Sequence, residues 1–393
     1  MGLLARIQQF AREVVGRAAS LVLDSPGPVF YGLSTLILLA KCGLGYYPAL
    51  SNAMDVVFAL PKAPEGYAPI DQWIMTSLDG PILARLLGIF TWQNYAVMHA
   101  VFVVIATVAI FVWVRLKFGS RAARLGYLAL TLTSAPIFLL TWLGSYDPFT
   151  FALSSFLALT TGWLGTLVLA LLLGFQHFEQ GTFVCLALLL MMPQRYIKRP
   201  AVGASLIGGL VLGKGILTLY LRSIGVTGGR LDFALARGLG NSWQTQTPLI
   251  PIWAFAMLGG AWLWVAFIAL RAERGSGYTW RALGALALLT IPMLLTYDQV
   301  RVYSIMSWPV VLLLTLHASK RASSEDVGML AGIGFLALLV VPSVYVWGAL
   351  PAPTFPVQAV PYGVLPWAAC AIVAVVLMIV APWDRRQLTS ADQ

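Results

Sequence analysis

Six acidic or imidazole side chains stand where a reaction at a membrane surface could use them. Asp55 lies in YPALSNAMDVV, with Asp71 and Asp79 following in the same polar stretch. A carboxylate so placed can act as general base, taking a proton from an acceptor hydroxyl; the plainer alternative is a solvated loop acid. Asp147 in WLGSYDPFTF precedes a proline, which suits a helix start, so capping free backbone N–H groups is as natural a role as catalysis. His177 and Glu179 stand in GFQHFEQG, inside an otherwise apolar block. Ionisable groups at membrane depth are costly and are usually partnered or functional, whereas a surface turn would remove that cost.

Four basic residues could meet a phosphate. Arg230, Arg237 and Arg301 can give charge-assisted, bidentate contacts, and Lys214 in LVLGKGILTL sits in mid-run, where it needs an anion or a water-filled cavity. Arg301 follows Asp298 by three positions, so on a helix the two share a face and could simply pair. Lys41 resembles Lys214 but could be answered by an acid in the same bundle. No Walker loop, zinc-ligand cluster or GxSxG elbow is present, which leaves ATP hydrolysis and soluble-type nucleophilic chemistry without support.

The elements that must position these groups are membrane helices. Of 393 residues 59% are hydrophobic and 10% charged, with a mean hydropathy of +0.83. A soluble domain carries roughly 25% charged residues; a hydrocarbon core about 30 Å thick accepts runs of about 20 apolar residues and rejects charge. The net charge of +10 comes from short basic clusters between apolar runs, a topology signal rather than a nucleic-acid footprint. Cys42, Cys185 and Cys370 lie inside apolar runs with no metal-ligand or disulfide spacing.

The expected fold is therefore an all-α polytopic bundle of about twelve spans (ten to twelve), with both termini cytoplasmic. Residues 1–27 read as a cytoplasmic amphipathic helix, with Arg6, Arg12 and Arg17 interleaved among apolar positions, rather than a cleavable signal. A transmembrane domain follows over 28–382, with an acidic outer loop at 51–93 and another at 224–248, then a cytoplasmic tail at 383–393. The block 148–193 breaks at Gly162 and at GFQHFEQG, so its pieces are half-spans or a re-entrant hairpin. With the N-terminus inside, most of the 25 basic residues sort to the cytoplasmic segments, and the candidate chemistry sorts to the outer face. Residues 70–90 read as an interfacial amphipathic element in the first outer loop.

This layout resembles the GT-C superfamily of membrane glycosyltransferases: an internal N-terminus, a first span, a long acidic outer loop and about a dozen spans. The segments GSYDPFTF, GFQHFEQG and YDQVRVYSIMSWP are also similar to those of uncharacterised bacterial membrane proteins associated with surface polysaccharides. The chain departs from the GT-C pattern in lacking a paired Asp-Asp or Glu-x-Asp in the first loop and a large C-terminal soluble domain. The resemblance implies a sugar donor linked to polyprenyl phosphate, a glycan or lipid acceptor, and work on the non-cytoplasmic face of a bacterial inner membrane. Asp55 would be the positional match to the catalytic acid. A divalent cation is the cofactor that such a site could call for, though no metal motif is present. Two other readings stay open. A Wzy-type polysaccharide polymerase or ligase would lean on Arg230, Arg237, Arg301 and His177. A secondary transporter or lipid flippase would use Lys41 and Lys214 at the midplane.

Overall fold

The computed structural model describes residues 3–60, 62, 67–233, 250–295, 299–343 and 364–380. The helices of the first half are α1 (Leu3–Leu23), α2 (Gly27–Cys42), α3 (Leu50–Ala59), α4 (Asp79–Leu86), α5 (Trp92–Phe118), α6 (Ser120–Leu132), α7 (Ala135–Thr141), α8 (Asp147–Leu159) and α9 (Trp163–Met191). Then come α10 (Pro193–Lys198), α11 (Pro200–Ser223), α12 (Arg230–Phe233), α13 (Ile250–Leu258), α14 (Ala261–Phe267), α15 (Gly277–Leu288), α16 (Gln299–Arg321), α17 (Ser324–Val340) and α18 (Val364–Val380). A 3₁₀ segment, Pro69–Thr76, precedes α4. The described residues form no sheet; one isolated bridge joins Tyr46 to Leu143.

Local chemistry sets many helix ends. Thr91 caps α5 by accepting from the Asn94 N–H, and Gly119, at φ 92°, ends it. Ser323 accepts from the Asp326 N–H at the start of α17, where Glu325 and Asp326 also complement the helix dipole. Prolines open α8 and α11, where a missing N–H costs nothing.

Four described helices are long and apolar enough to cross a membrane: α5, α9, α11 and α16. Two bent pairs, α1 with α2 at 113° and α6 with α7 at 72°, bring the number to six if each pair is one span. This is an integral membrane protein by that measure. Within the described residues the other apolar runs form shorter helices. Helices such as α8, with 13 residues, rise only about 20 Å, short of the roughly 30 Å core. The two runs on either side of GFQHFEQG lie in α9.

α9 is not a straight rod. His177 interrupts it with φ −159° and ψ 82°. A straight helix of 29 residues would hold its ends about 42 Å apart. Instead, Arg195, just past one end, donates to the Ala158 carbonyl at 3.3 Å, and Arg199 to that of Thr161 at 3.4 Å, just before the other. A Cβ on Gly181 would stand 3.0 Å from Leu173, although eight positions along a helix span about 12 Å. α9 is a helical hairpin with GFQHFEQG at its tip. Its arms lie against α11, where Gly209 permits close approach: a Cβ there would stand 2.6 Å from the Leu167 carbonyl.

At the hairpin's open end a basic belt gathers. Lys117 donates to the Leu159 carbonyl at 2.9 Å, Arg281 to that of Met191 at 3.3 Å, and Arg271 reaches Asp326 at 2.6 Å. Lys320 lies over the Phe118 ring. α1 runs along α17 and buries Ala11, Val15, Ala18 and Val22, a single stripe at helical spacing, while Arg6, Arg12 and Arg17 stay exposed. At the bundle's centre is α16, buried from Val300 to Leu316. Its Ser304, Ser307 and Thr315 each donate to a carbonyl three or four positions back.

Candidate functional site

The tip of the hairpin meets the 3₁₀ segment, the start of α8, α12 and the start of α16. Arg230 is the hub. Its Nε donates to Thr76 Oγ1 and its Nη2 to Ser77 Oγ, both at 2.6 Å, and its Nη1 contacts His177 Nε2. A guanidinium only donates, so Nε2 is the acceptor of this contact. Nδ1 lies 3.4 Å from both Glu179 Oε2 and the Gln180 backbone nitrogen. The other Glu179 oxygen is 3.4 Å from Lys214 Nζ. Glu179 thus neutralises the lysine that mid-run placement left needing an anion.

Tyr146 joins this half to a second one. Arg230 lies 4.5 Å and Arg301 4.8 Å from its ring centroid, within cation–π range. Arg301 Nη2 also donates to the Tyr146 hydroxyl at 2.6 Å. Arg301 Nη1 reaches Asp147 Oδ2 at 3.3 Å. Asp147 makes no capping bond, although it lies in the first turn of α8. The helix dipole favours its charge there, and its Oδ1 has no partner among the described residues. Three cations, Lys214, Arg230 and Arg301, lie beside the carboxylates of Glu179 and Asp147.

Gln176 pins the acidic loop to the tip. Its Nε2 donates to the Tyr146 carbonyl at 3.0 Å, its Oε1 accepts from the Asp79 N–H at 3.1 Å, and its carbonyl accepts from Ser77 Oγ at 2.7 Å. Burial pushes the Asp79 carboxyl up to about 7, because a desolvated carboxylate is disfavoured. Beneath Asp79 and Gly80, His99 is fully buried against Tyr95 and Phe149, with neither ring nitrogen in a hydrogen bond of ordinary geometry. A cavity of about 40 Å³ opens between Trp73, Ser77, Gly80, Tyr95 and Tyr146.

The structure therefore brings together Asp147, His177, Glu179, Lys214, Arg230 and Arg301, with Asp79 tied to them through its backbone N–H on Gln176. It sets Asp55 apart: that carboxylate is exposed and accepts from the Tyr67 hydroxyl at 2.7 Å. Asp71 lies in the 3₁₀ segment, its side chain outside the described residues, as are Arg237 and Asp298. Arg301, read from sequence as a possible partner of Asp298, pairs with Asp147. Lys41 donates to the Leu338 carbonyl at 2.8 Å and to that of Val341, so it caps the end of α17 rather than meeting an acid. Sequence reasoning missed Gln176, Thr76, Ser77 and His99. Gln176 stood inside the polar break GFQHFEQG and could have been found there; the others carried no spacing signal. Among the described residues no group of three or more His, Cys, Asp or Glu is placed to hold a metal ion.

Comparison with protein-family models, with curated protein sequences and with solved structures finds no match to this chain.

Chemically, the site offers two guanidinium groups from distant segments on one tyrosine ring, a third cation in Lys214, and, joined to it through a backbone N–H, the half-buried Asp79 carboxyl poised near neutrality. The cations suit a phosphate. The carboxyl suits proton abstraction from a hydroxyl, which works best when the base titrates near the operating pH.

Proposed function

We propose that the protein is a membrane glycosyltransferase of GT-C type, moving a sugar from a polyprenyl-phosphate donor to a glycan or lipid acceptor on the non-cytoplasmic face of a bacterial inner membrane. The observation that carries this reading is the convergence of Arg230 and Arg301 on Tyr146 at the same end of the bundle as Asp79. In the proposed mechanism Asp79 takes the proton of the acceptor hydroxyl as its oxygen attacks the anomeric carbon. The bond to the lipid phosphate breaks with inversion, and the two arginines stabilise the charge growing on the departing phosphate. Lys214 and Glu179 hold His177 so that its bare Nε2 faces Arg230 and fixes the guanidinium's orientation. Twelve spans, with the α9 hairpin supplying two half-spans, complete the proposed architecture.

Between the first-loop acids Asp55 and Asp79, burial and contact with the hairpin tip favour Asp79 as base. The Arg230–His177 contact also suits a polymerase or ligase of Wzy type, which would use the same polyprenyl-linked chemistry with arginine and histidine in the lead. A transporter reading loses its main support, because Lys41 and Lys214 both have local partners. The test is transfer of a labelled sugar from a polyprenyl phosphate by the purified protein in nanodiscs. Transfer that is lost in Asp79→Asn supports the proposal. Absence of transfer across a panel of donors, with growth of a polymer from polyprenyl diphosphate oligosaccharides, would favour the polymerase.

A further inference from the structure

A second cavity, of about 420 Å³, lies between α2, α5, α6 and α7, away from the arginine cluster. Its size falls within the roughly 300–1,000 Å³ of ligand pockets. One wall is a stripe on α5: Val104, Val108 and Val112, all exposed, recur every four residues and end three positions later at Arg115. Leu38 and Leu39 form the opposite wall, and the other lining residues are apolar apart from the hydroxyls of Tyr31, Thr35, Thr107, Tyr127 and Thr131. The Thr35 and Tyr127 hydroxyls bond to each other at 2.6 Å, so they make no demand on an occupant. Arg115 is the single charged residue in the lining, and it belongs to the same end of α5 as Lys117 of the basic belt.

We infer that this groove holds one acyl chain of an anionic phospholipid, with the headgroup phosphate against Arg115 at the belt end. The dimensions agree. From Val103 to Arg115 the groove follows twelve residues of α5, about 18 Å, close to one leaflet of a roughly 30 Å core. The polarity also agrees, since charge stands only at the end where a headgroup would lie. Arg124 lies near the same end, its guanidinium 5.9 Å from the Phe30 ring centroid. Arg124 is itself fixed by donation to the Val22 carbonyl at 2.8 Å, so Arg115 is left to meet the phosphate. This site lies at the opposite end of the bundle from the proposed transfer site and does not depend on that reading.

The test uses the full-length protein in mild detergent with equal amounts of phosphatidylglycerol and phosphatidylcholine, read by native mass spectrometry. One basic contact at a lipid surface predicts about a fivefold preference for phosphatidylglycerol. Arg115→Gln should bring the two lipids to parity, and Val108→Trp should reduce retention of both by filling the groove. Both substitutions are at exposed positions, so folding is preserved. Equal retention of the two lipids by the unaltered protein would overturn the inference. So would a preference that survives Arg115→Gln, retention unmoved by Val108→Trp, or displacement of phosphatidylglycerol by a polyprenyl phosphate.

Discussion

Arg301 reaches across 154 positions of chain to place Nη1 3.3 Å from Asp147 Oδ2, with side-chain exposures of only 5% and 0%. Removing one partner of such a buried pair strands the other charge. Asp147→Ala should therefore cost about 3–5 kcal/mol, whereas Asp147→Leu with Arg301→Met should recover most of that loss. Thermal unfolding of the three proteins in one detergent measures it. A double variant no more stable than Asp147→Ala would show that the two residues do not act as a unit.

Asp79 carries a pH signature. Its ordinary value is 3.8 and burial raises it to about 7. Between these values the folded state holds the proton and the unfolded state does not, so stability falls as pH rises, reaching its full loss above 7. Asp79→Asn should thus raise the melting temperature at about pH 8 and leave it unchanged near pH 3, below both values. Activity should run the other way in the unaltered protein, rising through neutrality as the carboxylate forms. A melting temperature equally shifted at both pH values would remove the buried-carboxyl argument.

Asp55 supplies the contrast. Exposed and bonded to Tyr67, it should tolerate Asn with more than half of transfer activity retained, while Asp79→Asn falls below about one hundredth, the usual scale of a lost general base. Initial rates of sugar transfer distinguish the two. The reverse ranking would return the base to Asp55.

Gly213 packs against the Leu171 carbonyl and the Phe175 amide of the hairpin's first arm. Gly213→Leu has no flexible neighbour to displace, only backbone, so it should separate α11 from α9 and exceed the usual 1–3 kcal/mol of overpacking. It should also break the Lys214–Glu179 contact next door. A thermal midpoint within a degree of the parent's would contradict that packing.

Lys41→Met removes the cation at the end of α17, a loss of up to about 2 kcal/mol for a partly buried helix terminus. Sugar transfer should be unchanged, because the lysine touches nothing in the cluster. A strong loss of turnover at full stability would reopen the midplane role for Lys41.

Much of this was legible in the sequence for physical reasons. A polar octet inside an apolar block has to turn or find partners, and GFQHFEQG does both at the hairpin tip. Basic residues cluster at one end because hydrocarbon excludes them from the middle, which separated Lys117, Arg195 and Arg281 from Arg230 and Arg301. What sequence could not supply was long-range pairing. Asp298, three residues from Arg301, lies outside the described residues, whereas Asp147 meets Arg301 from another helix. Burial was equally hidden. Asp55 and Asp79 look alike in sequence, and only packing beside Gln176 separates them. His99 lay unnoticed because one imidazole in a long apolar run has no spacing to announce it.

The doubled-back α9 also works as a ruler. Both of its arms are anchored at the belt, by Arg195 and Arg199 on the carbonyls of residues 158 and 161, so the height of His177 is set by arm length alone. One residue added to either arm would lift the tip by about 1.5 Å and turn it by roughly 100°, carrying the imidazole away from Arg230 and rotating the arm's close contacts with α11. Insertions and deletions in these two arms should therefore be tolerated by the fold only in compensating pairs, and the spacing between Gly162 and Pro193 becomes a quantity on which the site depends as closely as on any of its side chains.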